Sequence, residues 1–152
     1  MENEIISNIH HLYRSHIVTL ILYLVVGSLA VLVSVGVVKY KLLSPTNRIL
    51  LLIFMIIGLI VLLAIQIKLI IPIYTDYKES SYVILENATM TLTTDASGTL
   101  DYTNQVFVTD ETGNHYHLII QQDRNLNRGQ QYTGIIVYLK HSNYVIWYSF
   151  NQ

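Results

Sequence analysis

His115 and His117, two histidines at alternate positions, are the best-spaced candidates for chemistry in this chain. Alternate residues of a strand point the same way, so both rings can reach one metal ion. A metal site needs at least a third ligand. Asp110 and Glu111, across the preceding turn, are the nearest carboxylates, and nothing in the spacing forces them toward the histidines. The pair therefore reads as part of an exposed strand face, and no metal or other cofactor is expected. His10 and His11 are adjacent, so on a helix their side chains diverge by about 100°. Nucleophilic chemistry is no better supported. The chain has no cysteine, no G-x-S-x-G turn, no H-E-x-x-H and no phosphate-cradling glycine loop. Its carboxylates sit in turns, where Asp and Asn serve the backbone. A catalytic function is not expected. Asn87-Ala88-Thr89 fits an N-glycosylation acceptor and is read as a chance match.

Aromatic residues offer a better lead than titratable ones. In YVIWYSF (144–150), Tyr144, Ile146, Tyr148 and Phe150 alternate with Val145, Trp147 and Ser149. Both faces of such a strand are apolar. Either both are covered, or one is a docking surface. Trp and Tyr are enriched at binding hot spots, so Trp147, Tyr148 and Tyr144 are the expected partner-binding residues.

The elements that must position these residues follow from the pattern after residue 77. SYVILE (81–86) and ATMTLTT (88–94) lead into a turn at 95–98. TLDYTNQVFVTD (99–110) and HYHLIIQ (115–121) flank the turn at 110–114 and form the clearest hairpin. The polar stretch QDRNLNRGQ (122–130) reads as an exposed connection. QYTGIIVYL (131–139), the turn at 140–143 and the aromatic strand complete five or six strands. Gly134 inside a strand suggests a bulge or bend. A small all-β domain over 74–152 is expected, an antiparallel barrel or sandwich, with OB-like or SH3-like forms leading. From residue 75 on, eight acids face four bases. A negative domain repels phosphate backbones, so nucleic-acid binding is not expected.

Two apolar runs precede this domain. Residues 17–38 carry no charge, and residues 49–67 carry none before Lys68. About 20 apolar residues cross a hydrocarbon core of roughly 30 Å. Two transmembrane helices, 17–38 and 49–73, are therefore expected, forming a helical hairpin in the lipid bilayer. Lys68 falls about 28 Å along the second helix, near its far interface. Pro72 is expected to end or kink that helix. Residues 1–16 have two acids and one Arg, unlike the basic start of a cleaved leader. The first run is read as a retained helix. Ile5, Ile6, Ile9, Leu12 and Tyr13 share one face, so 1–16 reads as a tail forming an amphipathic helix at the membrane interface. The loop 39–48 holds Lys39, Lys41 and Arg48 and no acid. Short basic loops stay in the cytoplasm, which places the β domain outside a cell membrane as part of a two-pass protein. Gly27, Ala30 and Ser34 are spaced to share a face of the first helix, with Gly58 and Ala64 as small residues on the second. Small residues let helices approach closely in lipid, within the hairpin or in an oligomer. The spans hold too little polarity for a transport path.

The stretch from Gly129 to Ile146, G-x-x-Y-x-G-x-x-V-Y-L-K-H-S-N-Y-V-I, resembles the terminal strand pair of small bacterial two-helix proteins. That resemblance transfers no functional residue. The leading functional reading is a non-enzymatic, membrane-anchored accessory or scaffolding protein. Its β domain would bind another membrane or extracytoplasmic protein at the outer face. The alternatives are an immunity protein that protects the cell from a secreted toxin, and a membrane-tethered barrel that senses a glycan or small molecule.

Overall fold

The apolar runs form two long helices, α1 (Glu2–Lys39) and α2 (Pro45–Glu79). A computed structural model describes residues 1–40, 44–95, 103–121, 126–127 and 129–151. Lys41, most of the turn at 95–98 and part of the connection at 122–130 lie outside the described residues. Two compact units share the chain: Met1–His11 together with Pro72–Gln152, and Leu12–Ile71.

Residues 1–16 are not a separate tail, because α1 already begins at Glu2. Glu2 and Glu4 occupy its first turn, where negative charge complements the helix dipole. The helix α2 starts at Pro45, whose missing N–H is one the first turn would leave unpaired anyway. Pro72 neither ends this helix nor marks its last turn, since α2 continues to Glu79. An interior proline removes one helical hydrogen bond. Ile73, the next residue, and Asp76, one turn beyond, are both fully buried and anchor the helix past the proline. At the end of α2, Ser80 adopts φ 49°. The Ser81 N–H then reaches back to the Asp76 carbonyl at 3.1 Å, a Schellman stop.

The unit Leu12–Ile71 is long and apolar enough to cross a membrane twice. The most apolar stretches of α1 and α2 have mean hydropathies of 2.6 and 3.1, yet only 6% of each is buried. Residues withdrawn from the surface recur at steps of three, four or seven: Leu12, His16, Tyr23, Gly27, Ala30 and Ser34 on α1, and Leu52, Met55, Leu59, Leu63, Gln66 and Ile70 on α2. A near-3.5 period is the spacing of a seam between two helices. Gly27 lies on it so tightly that an added Cβ would come 2.3 Å from Leu59 Cδ1. Ser34 is buried and donates to the Ala30 carbonyl at 2.8 Å. The second helix does not answer with its small residues. Gly58 borders open space and Ala64 is exposed, and Leu59 fills the notch at Gly27 instead.

The other unit is built on a five-stranded mixed sheet: β1 (Tyr82–Asp95), β2 (Thr103–Thr109), β3 (His115–Gln121), β4 (Gln131–Leu139) and β5 (Tyr144–Phe150). The ladder runs β1-β2-β3-β5-β4, and β4 pairs back onto β1. The expected all-antiparallel arrangement fails at one place. β3 and β5 are parallel, over Ile119↔Tyr144 and Ile120↔Val145. The short turn at 140–143 folds β5 back along β4, and its far side then meets β3 in the same direction. The segments 81–86 and 88–94 are one strand. Asn87 takes φ 49° and the register with β4 shifts between Leu85 and Ala88, so a bulge replaces the expected break. Gly134 sits opposite this bulge, paired to Ala88. It serves close approach and not a bulge of its own, since a Cβ there would lie 2.0 Å from the Ser149 carbonyl oxygen. Leu85, Met90, Leu92, Val106, Val108, Leu118, Ile120 and Ile136 form the core.

These glycines make a graded set of predictions. Gly134→Val should lower the stability of the sheet by at least about 2 kcal/mol, because backbone atoms stand in the way. Denaturation in detergent, followed by the fluorescence of the single tryptophan, measures this. Gly27→Ile should cost about 1 kcal/mol or more by displacing Leu59, whereas Gly58→Ala should stay within about 0.5 kcal/mol. Helix unfolding followed by circular dichroism would separate the two.

Candidate functional site

The strand expected to bind a partner is buried at Tyr144 and Val145 and half-buried over most of the rest. Val145 belongs to the core, and Tyr148 and Phe150 pack against it. Their rings stack at 4.7 Å. On β4, Ile136 and Tyr138 also face the core, so Val137 and Leu139 face outward by alternation, yet both are fully buried. The helices of the same unit carry buried apolar residues too. Ile5, Ile9 and Ile73 are buried to 2% or less. The Asn8 side-chain amide donates to the Ile146 carbonyl at 2.9 Å, and the Trp147 indole N–H donates to Glu4 Oε2 at 3.2 Å. The Ile146 carbonyl lies just past the two residues that pair with β3, and Asn8 supplies the donor that a neighbouring strand would otherwise give. Tyr144 is buried, and Trp147 and Tyr148 are half-buried. The first turn and a half of α1 thus bonds the aromatic strand at Ile146 and Trp147.

A second junction is carried by Asp76. Its carboxylate is fully buried near the end of α2 and accepts four hydrogen bonds. The backbone N–H groups of His141 and Ser142 donate at 2.9 Å, the Ser142 hydroxyl at 2.7 Å and the Ser81 hydroxyl at 3.2 Å. Three of these donors belong to the β4–β5 turn. His141 also lies 3.5 Å from Glu79, both side chains being largely in water. Such an exposed pair adds little.

The β2–β3 turn closes around Asp110. Its carboxylate accepts from the Thr112 N–H and hydroxyl, the Asn114 N–H and amide, and the Tyr116 hydroxyl, at 2.8–3.0 Å. Desolvation pushes its pKa up, but the combined hydrogen bonds outweigh this and hold it well below the usual carboxylate range. The same contact raises the Tyr116 phenol, its hydrogen bond to Asp110 being the largest cause. Gly113, at φ 84°, permits the turn. Every oxygen of Asp110 is committed, so it does not complete a set with the histidines.

His115 and His117 lie on the outer face of β3 and are exposed. The ladder sets Phe107 opposite His117 and Thr109 opposite His115. The Phe107 and His117 rings meet edge to face with centres 3.7 Å apart, and the Thr109 hydroxyl bonds His115 Nδ1 at 3.0 Å. On the next strand, Thr91 is paired to Phe107 and Thr89 to Thr109. Among the described residues, no three His, Asp or Glu side chains gather to hold a metal ion. Phe107, 41% exposed, is the only aromatic residue of the described strands with so much surface in water. The sequence reasoning passed over it. The signal lay in N-Q-V-F-V-T, where Val106 and Val108 point inward and a phenylalanine stands on the polar side of the alternation.

No family model, curated protein or solved structure matches this chain.

Removing the Asp76 carboxylate tests the junction. Asp76→Ala would leave the His141 and Ser142 N–H groups buried without acceptors, and should cost the β unit about 3 kcal/mol. Its unfolding midpoint in denaturant, read by Trp147 fluorescence, should fall accordingly. A midpoint unchanged from the wild type would show the contact to be dispensable.

Proposed function

We propose that this chain is a non-enzymatic, membrane-anchored accessory protein whose β domain is a binding module at the outer membrane face. The observation that carries the anchoring is the exposure of the apolar stretches of α1 and α2. A helix in the core of a water-soluble protein buries such a stretch, whereas lipid is the solvent that tolerates it bare. A helix of 38 residues is about 57 Å long, well beyond a hydrocarbon core of roughly 30 Å. Lys39, Lys41 and Arg48 support a cytoplasmic loop, with the β domain on the opposite side. Strand order with a parallel β3–β5 closure supports the reading of the sheet as a small OB-like barrel.

The binding face moves in this reading. Tyr144 is buried, and Trp147 and Tyr148 are engaged by the chain itself, so the exposed ring of Phe107 marks the face of β1, β2 and β3 as the one left for a partner. An accessory role taken alone would call for a protein partner there. The ligand-sensing alternative draws support from one observation, the uncharged polar residues around that ring.

A photoreactive benzoylphenylalanine at position 107, in the full chain in native membranes, tests the module. It should give a mass-shifted adduct that the same group at Lys140, exposed elsewhere on the domain, does not give. No adduct at 107 would defeat the reading.

A further inference from the structure

We propose that the outer face of β1–β4 centred on Phe107 binds a neutral oligosaccharide. This deepens the binding-module reading and rests on it. The register lines up two rows of side chains across four strands. One row is Gln131, Thr91, Phe107, His117, and the next is Thr133, Thr89, Thr109, His115. Adjacent strands lie about 4.8 Å apart, so each row spans about 14 Å. No residue of either row is an acid, a lysine or an arginine. Every residue but Phe107 carries a hydroxyl, amide or imidazole, the groups that both donate and accept hydrogen bonds.

This chemistry selects among ligands. Phosphate and sulfate polymers need cations, and the rows offer none. A protein hot spot needs a fully buried apolar centre, and a single phenyl ring among threonines does not make one. A sugar ring matches both parts. Its C–H face can lie on an aromatic ring, and its hydroxyls can bond side chains that donate and accept. The platform is also prepared in advance. The Thr89 and Thr133 hydroxyls are 3.4 Å apart, Thr109 holds His115, and His117 braces Phe107 edge-on. Side chains already in place lose little freedom when a ligand arrives. The nearest carboxylates lie outside both rows and are bonded there, Asp110 within its own turn and Glu111 to the Asn87 amide.

Isothermal titration of the full chain in detergent micelles tests this with maltohexaose, cellohexaose and chitohexaose as neutral probes and a heparin-derived hexasaccharide as the anionic one. At least one neutral probe should bind saturably and the anionic one should not. Phe107→Ala should weaken binding tenfold or more, and Phe107→Tyr should stay within threefold, with thermal midpoints near the wild type because the side chain is exposed. Thr91→Val, which removes one hydroxyl and keeps the shape, should also weaken it. Failure of all three neutral probes, or equal binding by Phe107→Ala, overturns the proposal. If the crosslink at position 107 then carries a polypeptide, the binding module stands and only its ligand class is wrong. If the crosslink is also absent, both readings fall.

Discussion

A buried carboxylate holds the β unit to the helix that leads into it. Asp76 has no access to water, and an unpaired charge in that position would cost several kcal/mol. Four donors, three of them from the β4–β5 turn, remove that cost. The same residue's carbonyl accepts the Ser81 N–H that stops α2. One residue therefore sets where the helix ends, which way β1 departs, and where the turn that closes the sheet must lie. The parallel pairing of β3 with β5 depends on that turn being in place.

Much of this architecture was legible in the residues, and the rest was hidden for identifiable reasons. The uncharged runs announced both long helices, since few structures other than a helix in lipid use so many consecutive apolar residues. Strands β4 and β5 and the turns at 110–114 and 140–143 followed from alternation and from Asp, Gly and Asn in place. The bulge at Asn87 looked like a break, because an αL residue within a strand has the same composition signal as a turn. The first turns of α1 read as a surface helix for lipid, because an amphipathic face does not declare what covers it. Ile5 and Ile9 are covered by protein. Asp76 gave no sign: three of its four donors lie about 65 residues away, and long-range hydrogen bonds leave no local pattern.

The surroundings of the aromatic strand were only half legible in the sequence, for a physical reason. An aromatic strand with two apolar faces is ambiguous between one that is doubly covered and one that docks a partner. Here the covering material is encoded at the opposite end of the chain, as Asn8 bonding Ile146 makes plain. The true exception to the pattern was quieter, one phenylalanine where the alternation calls for a polar residue. The histidine pair carried more information about its neighbours than about metals, since the register that aligns His115 and His117 also aligns Thr109 and Phe107.

The bond between Asn8 and Ile146 closes a loop of 138 residues. Long-range closures of this kind form late, because their entropy must be spent before the contact returns anything. The β unit is therefore not a domain that folds behind the two long helices as an independent afterthought. Part of its wall is made first during synthesis and must wait for the last strand. A fragment beginning at the first strand would lack Glu4, Ile5, Asn8 and Ile9, and would expose Val137 and the free edge of β5 to other chains. Such an edge is a template for association.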